Sequence, residues 1–188
     1  MTTKKEEVVR NEILCTTLAK LQSIDAAHTS QMAYIIRRAN LSSTVVLAAV
    51  SLLLKGKEKL PAYIQSLRKS MAEGEPSSGA EGKLESALSL YNSTYMLFSI
   101  CLIISSKYLI DRSYINRTWA NILMIEKQLL NEYERRLLEV FEYRIELSNA
   151  SIDELMDKLD AAPTKKEKKE YGFVRRIKKI VACLFYQK

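Results

Sequence analysis

Residues 101–147 read CLIISSKYLIDRSYINRTWANILMIEKQLLNEYERRLLEVFEYRIEL, and this stretch decides the fold. An apolar run ends at Lys107, and a short segment around Trp119 follows it. Apolar residues then recur at the spacing of one helical face, at Leu130, Tyr133, Leu137 and Phe141. The pattern predicts a buried helix over 84–109, a turn at 111–113 whose side chains cap a short helix over 116–124, and a last core helix over 126–143.

The rest of the chain repeats the helical spacing and has no strand alternation of useful length. Further helices are predicted over 5–22, 26–38, 43–55, 151–159 and 165–185. Asn40 is expected to stop one helix and Ser42 or Ser43 to cap the next, which Gly56 and Pro61 are expected to close. The stretch EGEPSSGAEG, 73–82, predicts a mobile surface loop. The predicted fold class is all-α.

Composition limits the function classes. The chain has 188 residues, of which 47% are apolar, so it can form one domain with a core. The three cysteines are far apart and His28 is the single histidine, which argues against a disulfide framework or a histidine metal site. The sequence has no P-loop and no set of kinase motifs. We therefore expect no enzymatic activity and no cofactor.

The net charge of +7 comes from the C-terminal segment. Residues 161–188 contain nine basic and two acidic residues, whereas residues 1–160 contain 20 of each. Residues 165–185 also predict a basic amphipathic helix, which can pack on its own domain, bind nucleic acid or another acidic partner, or lie on a membrane. Packing, with the two basic clusters serving nuclear import, is favoured over the other two. The expected location is nuclear, cytoplasmic or both.

One segment, 86–106, has no charged residue and is a membrane-span candidate. Eight serine, threonine or asparagine residues dilute it, and its strongly apolar centre, 96–104, is too short for about 30 Å of hydrocarbon. A helix buried on all sides of a helical bundle has the same pattern. We expect the buried helix.

Lys107 and Glu134 are the most informative polar residues. Taken separately, Lys107 ends a helix where a cation is favourable, and Glu134 is solvated or paired with Arg135 or Arg136. Taken together, they lie in IISSKYLIDRSYINRTWANI and NEYERRLL, which resemble the second half of a cyclin box. Upstream, IIRRANLSSTVVLAAVSLLLKGKEKLP resembles the first helices of the same box in fungal PCL-type cyclins.

The resemblance implies a five-helix cyclin box over 24–147, with a loop at about 71–83. The apolar spacing of the flanking residues adds an N-terminal helix over 1–23 and a C-terminal helical extension with a basic tail over 148–188. The resemblance further implies a regulatory subunit that binds the small lobe of a cyclin-dependent kinase. Lys107 and Glu134 would meet each other and bind backbone groups beside the regulatory helix of the kinase. The other implied contacts are Tyr108, Leu138 and Tyr143, with Asp111 pairing with a kinase arginine.

Other interpretations of these residues stay open. Tyr108, Leu138 and Tyr143 are equally compatible with core packing, and Asp111 with capping the next turn. Trp119 is expected to be a core anchor. The chain departs from cell-cycle cyclins in that residues 28–40, HTSQMAYIIRRAN, lack the pattern that docks RxL substrates. The rival function is a helical nucleic-acid-binding or adaptor protein that acts through the basic C-terminal segment.

Overall fold

The computed structural model describes residues 25–73, 79–145 and 147, together with Asn11, Cys15 and Thr16. The long described ranges form six helices and no strand. The helices are α1 (Ala26–Arg38), α2 (Ser43–Ala72), α3 (Ala80–Asn92), α4 (Thr94–Leu109), α5 (Asn116–Leu123) and α6 (Lys127–Val140). The all-α prediction is confirmed for this part of the chain. The helices predicted over 151–159 and 165–185, and almost all of 5–22, lie outside the described residues.

Helix α4 is the centre of the fold. Every residue from Leu97 to Ser106 is buried, and the helix packs against α1, α2, α3 and α6. Because this part of the helix has no side facing solvent, apolar residues occur all around it, and the sequence there shows no amphipathic stripe. The expectation of a helix buried on all sides is confirmed for residues 97–106 of this region.

The entry into α2 follows local rules that the sequence shows. Helix α1 has the predicted bounds, and Met32, Ile35 and Ile36 form its buried side. Asn40 takes a left-handed conformation with φ of 51°, which asparagine tolerates well, and so ends the helical path. The hydroxyl of Ser42 then accepts a hydrogen bond from the Val45 amide at 3.4 Å and caps α2.

The expected end of this helix at Gly56 and Pro61 is wrong, because α2 runs on to Ala72. A proline inside a helix costs about 3 kcal/mol. Burial offsets this cost, since Leu60 is 0% and Ile64 6% exposed and each buried side chain of this kind contributes about 1.5–3 kcal/mol. Gly56 is buried where α2 meets its neighbours: a Cβ there would lie 3.5 Å from Leu97 Cδ1.

The single helix predicted over 84–109 is also wrong. Helix α3 already begins at Ala80, within the predicted loop, and the chain bends by 103° between α3 and α4. Ser93 causes the break: its backbone is extended, and its hydroxyl accepts from the Met96 amide at 3.2 Å and caps α4. No single helix in the described ranges has the length and apolarity to cross a membrane. The bent pair α3–α4 has sufficient length and apolarity only when the two helices are taken together.

Helices α5 and α6 lie close to their predicted positions. The predicted inward residues of α6, namely Leu130, Tyr133, Leu137 and Phe141, are all buried, and so is Trp119 of α5. Two details differ. The side chains of 111–113 do not cap α5, since its N-cap is Ile115 without a side-chain bond. Helix α6 ends at Val140 and not at 143, because Glu142 and Tyr143 take positive φ angles of 53° and 58°.

Candidate partner-binding site

Lys107 and Glu134 meet across two helices. Lys107 lies in the last turn of α4, and Glu134 lies in the middle of α6. The Lys107 Nζ donates a hydrogen bond to Glu134 Oε1 at 2.5 Å. The side chain of Lys107 is 33% exposed and that of Glu134 only 12%, so Glu134 is the more buried member of the pair. Two residues that are 27 positions apart in sequence thus form one ion pair at the surface.

Asn116 holds the second oxygen of the same carboxylate. This residue begins α5, and its Nδ2 donates to Glu134 Oε2 at 2.5 Å and to Asn131 Oδ1 at 2.7 Å. The Glu134 carboxylate therefore has a donor on each oxygen, which fixes the plane of the carboxylate. The Asn116 Oδ1 atom is buried and has no hydrogen-bond partner in the described part of the chain.

Sequence reasoning missed both asparagines as members of this site. Asn131 precedes Glu134 by three residues, which places the two side chains next to each other on α6. That spacing was a usable signal for Asn131. Asn116 lies in the segment IISSKYLIDRSYINRTWANI, but only the packing of α5 against α6 shows where its amide points.

The pair has spare capacity for hydrogen bonds. A lysine ammonium carries three donors, of which Glu134 uses one, and each carboxylate oxygen can accept more than one bond. A partly exposed ion pair contributes only about 0.2–1 kcal/mol to folding. The pair can therefore donate to a carbonyl and accept from an amide of another molecule while its own geometry is held. No group of three metal-ligating side chains occurs in the ranges that the structure describes.

Large apolar side chains are exposed next to Lys107. Tyr108 is 57% and Leu109 39% exposed, and Tyr114 and Ile115 follow at 43% and 67%. Tyr114 also rests edge-on against the buried Trp119, with ring centroids 6.0 Å apart. These residues lie between the end of α4 and the start of α5, beside the two residues that hold Glu134. Exposed apolar side chains next to a charged pair are typical of a protein-binding surface.

The other predicted site residues differ in their exposure and in their position in the fold. The core-packing interpretation is wrong for Tyr108 and for Tyr143, which is 64% exposed beyond the end of α6. Leu138 is half-buried and lies one turn after Glu134 on the same side of α6. Asp111 is exposed in the turn that follows α4. The structure thus brings Lys107 and Glu134 together, with Tyr108 next to Lys107 in sequence, while Asp111 and Tyr143 lie in the flanking turns.

The expected alternative partner of Glu134, Arg136, belongs to a different network. Arg136 is 1% exposed and donates to four side chains on three helices. The acceptors are Ser86 Oγ at 2.9 Å, Tyr63 Oη at 3.2 Å, Glu139 Oε2 at 2.5 Å and Glu132 Oε1 at 3.2 Å. The pairing of Glu134 with Arg136 is therefore wrong.

This network attaches α6 to α2 and α3. Burial lowers the pKa of Arg136, but the bonds to Tyr63 and Glu132 and the charge of Glu139 raise it by more, so the guanidinium stays charged. Burial also raises the pKa of Tyr63, whose hydroxyl donates to Glu139 at 2.8 Å. The glutamates at i−4 and i+3 from Arg136 were a local signal of ion pairing, whereas Tyr63 and Ser86 required the fold.

The two networks lie on one helix. Arg136 holds α6 against the core, and Glu134, two positions earlier, presents its carboxylate to Lys107 and Asn116.

Comparison of the chain with models of known protein families, with curated proteins and with solved structures finds no match.

Proposed function

We propose that this protein is a cyclin-like regulatory subunit that binds and activates a cyclin-dependent protein kinase. The observation that carries the proposal is the Lys107–Glu134 pair, which spans α4 and α6 and lies beside exposed apolar side chains. In the proposed box, the five helices are α1, α2, the bent pair α3–α4, α5 and α6. The protein itself has no catalytic role and needs no cofactor.

The chemistry of the site suits contact with the backbone of a partner. Lys107 supplies donors for a carbonyl, and Glu134 supplies acceptors for an amide. Because the two charges already neutralise each other, covering them costs less than burying either one alone. Tyr108 and the half-buried Leu138 add apolar area around the pair, and apolar contact supplies most of the binding free energy at such surfaces.

Binding is expected to fix the position of the regulatory helix of the kinase. A subunit docked on the small lobe holds the regulatory helix in its inward position, which completes the lysine–glutamate pair that orients the phosphates of ATP. Asp111 and Tyr143 flank the proposed contact and supply its rim. Such a subunit acts in the nucleus, the cytoplasm or both.

Affinity capture of the tagged full chain from extract of its native cells tests the proposal. Mass spectrometry should identify a cyclin-dependent kinase in the captured fraction. The Lys107→Ala and Glu134→Ala variants should each reduce the recovered kinase by about tenfold or more, because each leaves the opposite charge unpaired at the interface. Circular dichroism should show unchanged helical content in both variants.

Matched controls come from α2, where Glu58 and Lys59 are exposed and neighbouring. The Glu58→Ala and Lys59→Ala variants make the same charge changes and should capture as much kinase as the wild type. Recovery that is equal in all five proteins, or the absence of any kinase, would contradict the proposal.

A second candidate function has its own supporting observation, the nine basic residues among 161–188. This segment lies outside the described residues, and nucleic-acid binding is one of the roles that its positive charge suits. That function predicts DNA or RNA binding that weakens steeply with salt and vanishes on removal of 161–188. The cyclin-like function predicts that kinase capture largely survives the same truncation.

A further inference from the structure

A concave surface lies among the end of α2, one side of α3, the start of α4 and the middle of α6. It is an open groove with a volume of about 610 Å³, within the range of known binding pockets. Its apolar lining comes from Met71, Leu84, Leu88 and Met96, and Glu81 and Glu85 add two carboxylates. Neither Lys107 nor Glu134 lines it, so the groove is distinct from the proposed kinase contact.

Helix α3 has a second apolar side that is only partly covered. Its buried side consists of Ser86, Ala87 and Leu90. Leu84 and Leu88 are one turn apart on another side, line the groove and are only half-buried. The exposed part of these two leucines lines the groove and is available to another apolar surface.

The charge of the groove has one sign. Glu81 and Glu85 are both exposed, and no lysine, arginine or histidine lines the groove. Neither carboxylate forms an ion pair with any residue in the described ranges. Glu81 lies in the first turn of α3, where the helix dipole stabilises it, but Glu85 lies one turn further on. Like charges four residues apart on a helix repel each other, so a cation bound between them relieves an unfavourable contact.

We propose that this groove binds a short, basic and hydrophobic peptide segment of a partner protein. Its large apolar side chains would pack on Leu84, Leu88 and the two methionines. Flanking lysine or arginine residues would pair with Glu81 and Glu85. This inference is independent of the kinase contact, because it uses a different surface and a different chemistry of recognition.

Methionine methyl NMR on the full chain tests this proposal directly. The probe is a synthetic peptide of twelve residues with one phenylalanine and one leucine between two pairs of arginines. The methyl signals of Met71 and Met96 should shift on titration, because both residues line the groove. Those of Met32, which is 0% exposed, and Met124, which is 85% exposed elsewhere, should stay in place and show that the fold is intact.

Charge reversal provides the matched comparison. Glu85→Lys should weaken the peptide by about tenfold, since it replaces an attraction by a repulsion of similar size. Glu58→Lys, which makes the same change on α2, should leave the affinity unchanged. A peptide with glutamates in place of the arginines, or serines in place of the two apolar residues, should not shift Met71 or Met96.

Three results would overturn the inference. The first is that Met71 and Met96 do not respond to peptide up to about 1 mM, the weak end of specific affinities. The second is that Glu85→Lys and Glu58→Lys bind the peptide equally well. The third is that the two signals shift with protein concentration in the absence of peptide, which would assign the groove to a second copy of this chain.

Discussion

Replacing Arg136 by alanine removes a buried guanidinium that joins α6 to α2 and α3. The Arg136 side chain is 2% exposed, and it donates to Ser86 and Tyr63 as well as to two glutamates of its own helix. Removing one member of a buried ion pair costs about 3–5 kcal/mol. Here the two glutamates, Glu132 and Glu139, are 35% and 23% exposed and regain some hydration. We therefore expect Arg136→Ala to lower the free energy of unfolding by about 3 kcal/mol.

Arg136→Met should cost distinctly less. Methionine fills most of the volume, and the side chains left behind keep other partners. Ser86 Oγ still donates to the Gly82 carbonyl at 2.9 Å, and Tyr63 Oη still donates to Glu139 at 2.8 Å. No buried donor is orphaned, so the expected loss is about 1–2 kcal/mol. The difference between the two variants measures the cavity that alanine leaves.

Urea unfolding followed by circular dichroism gives these values, with the free energy extrapolated to water. The matched control is Arg135→Ala, which removes the exposed neighbouring arginine and should change stability by no more than about 0.5 kcal/mol. If Arg136→Ala is as mild as Arg135→Ala, the network does not hold α6. If methionine is as costly as alanine, the cavity left by alanine contributes nothing to the loss, and if methionine costs about 3 kcal/mol or more, the partners left behind are not satisfied as described.

Two further predictions concern α2. Gly56→Ala should raise stability by about 0.5–1 kcal/mol, because a Cβ there meets only ordinary contacts of 3.5–3.7 Å and alanine favours the helix; a loss of stability in chemical unfolding would contradict the packing described. Burial raises the pKa of Tyr63, so its contribution to stability is complete below about pH 10 and is lost as the pH rises through the raised value. Stability above pH 10 should therefore fall more steeply in the wild type than in Tyr63→Phe, and equal slopes would refute this assignment.

Features set by neighbouring residues could be predicted from the sequence. The bounds of α1, the stop at Asn40 and the cap at Ser42 depend on side chains within a few positions of each other. The inward stripe of α6 is equally local, since its spacing reports one helical face. These elements agree with the expectations because no distant contact competes with the local preference.

Features set by tertiary packing could not be predicted from the sequence. The passage of α2 through Pro61 depends on the burial of Leu60 by other helices, which no local rule reports. The break at Ser93 had a local signal, a capping residue, but the apolar residues on both sides concealed it. The meeting of Lys107 and Glu134 was expected from the resemblance to cyclins alone, and the part played by Asn116 required the structure.

A double-mutant cycle at Lys107 and Glu134 tests the central proposal most directly. The affinity for a purified cyclin-dependent kinase is measured for the wild type, the two single alanine variants and the double variant. Since the two side chains act as one unit joined at 2.5 Å, each single alanine variant should lose at least about tenfold in affinity. The double variant should lose little more than either single variant, which gives a strong coupling. A double variant that binds the kinase as tightly as the wild type would contradict the account.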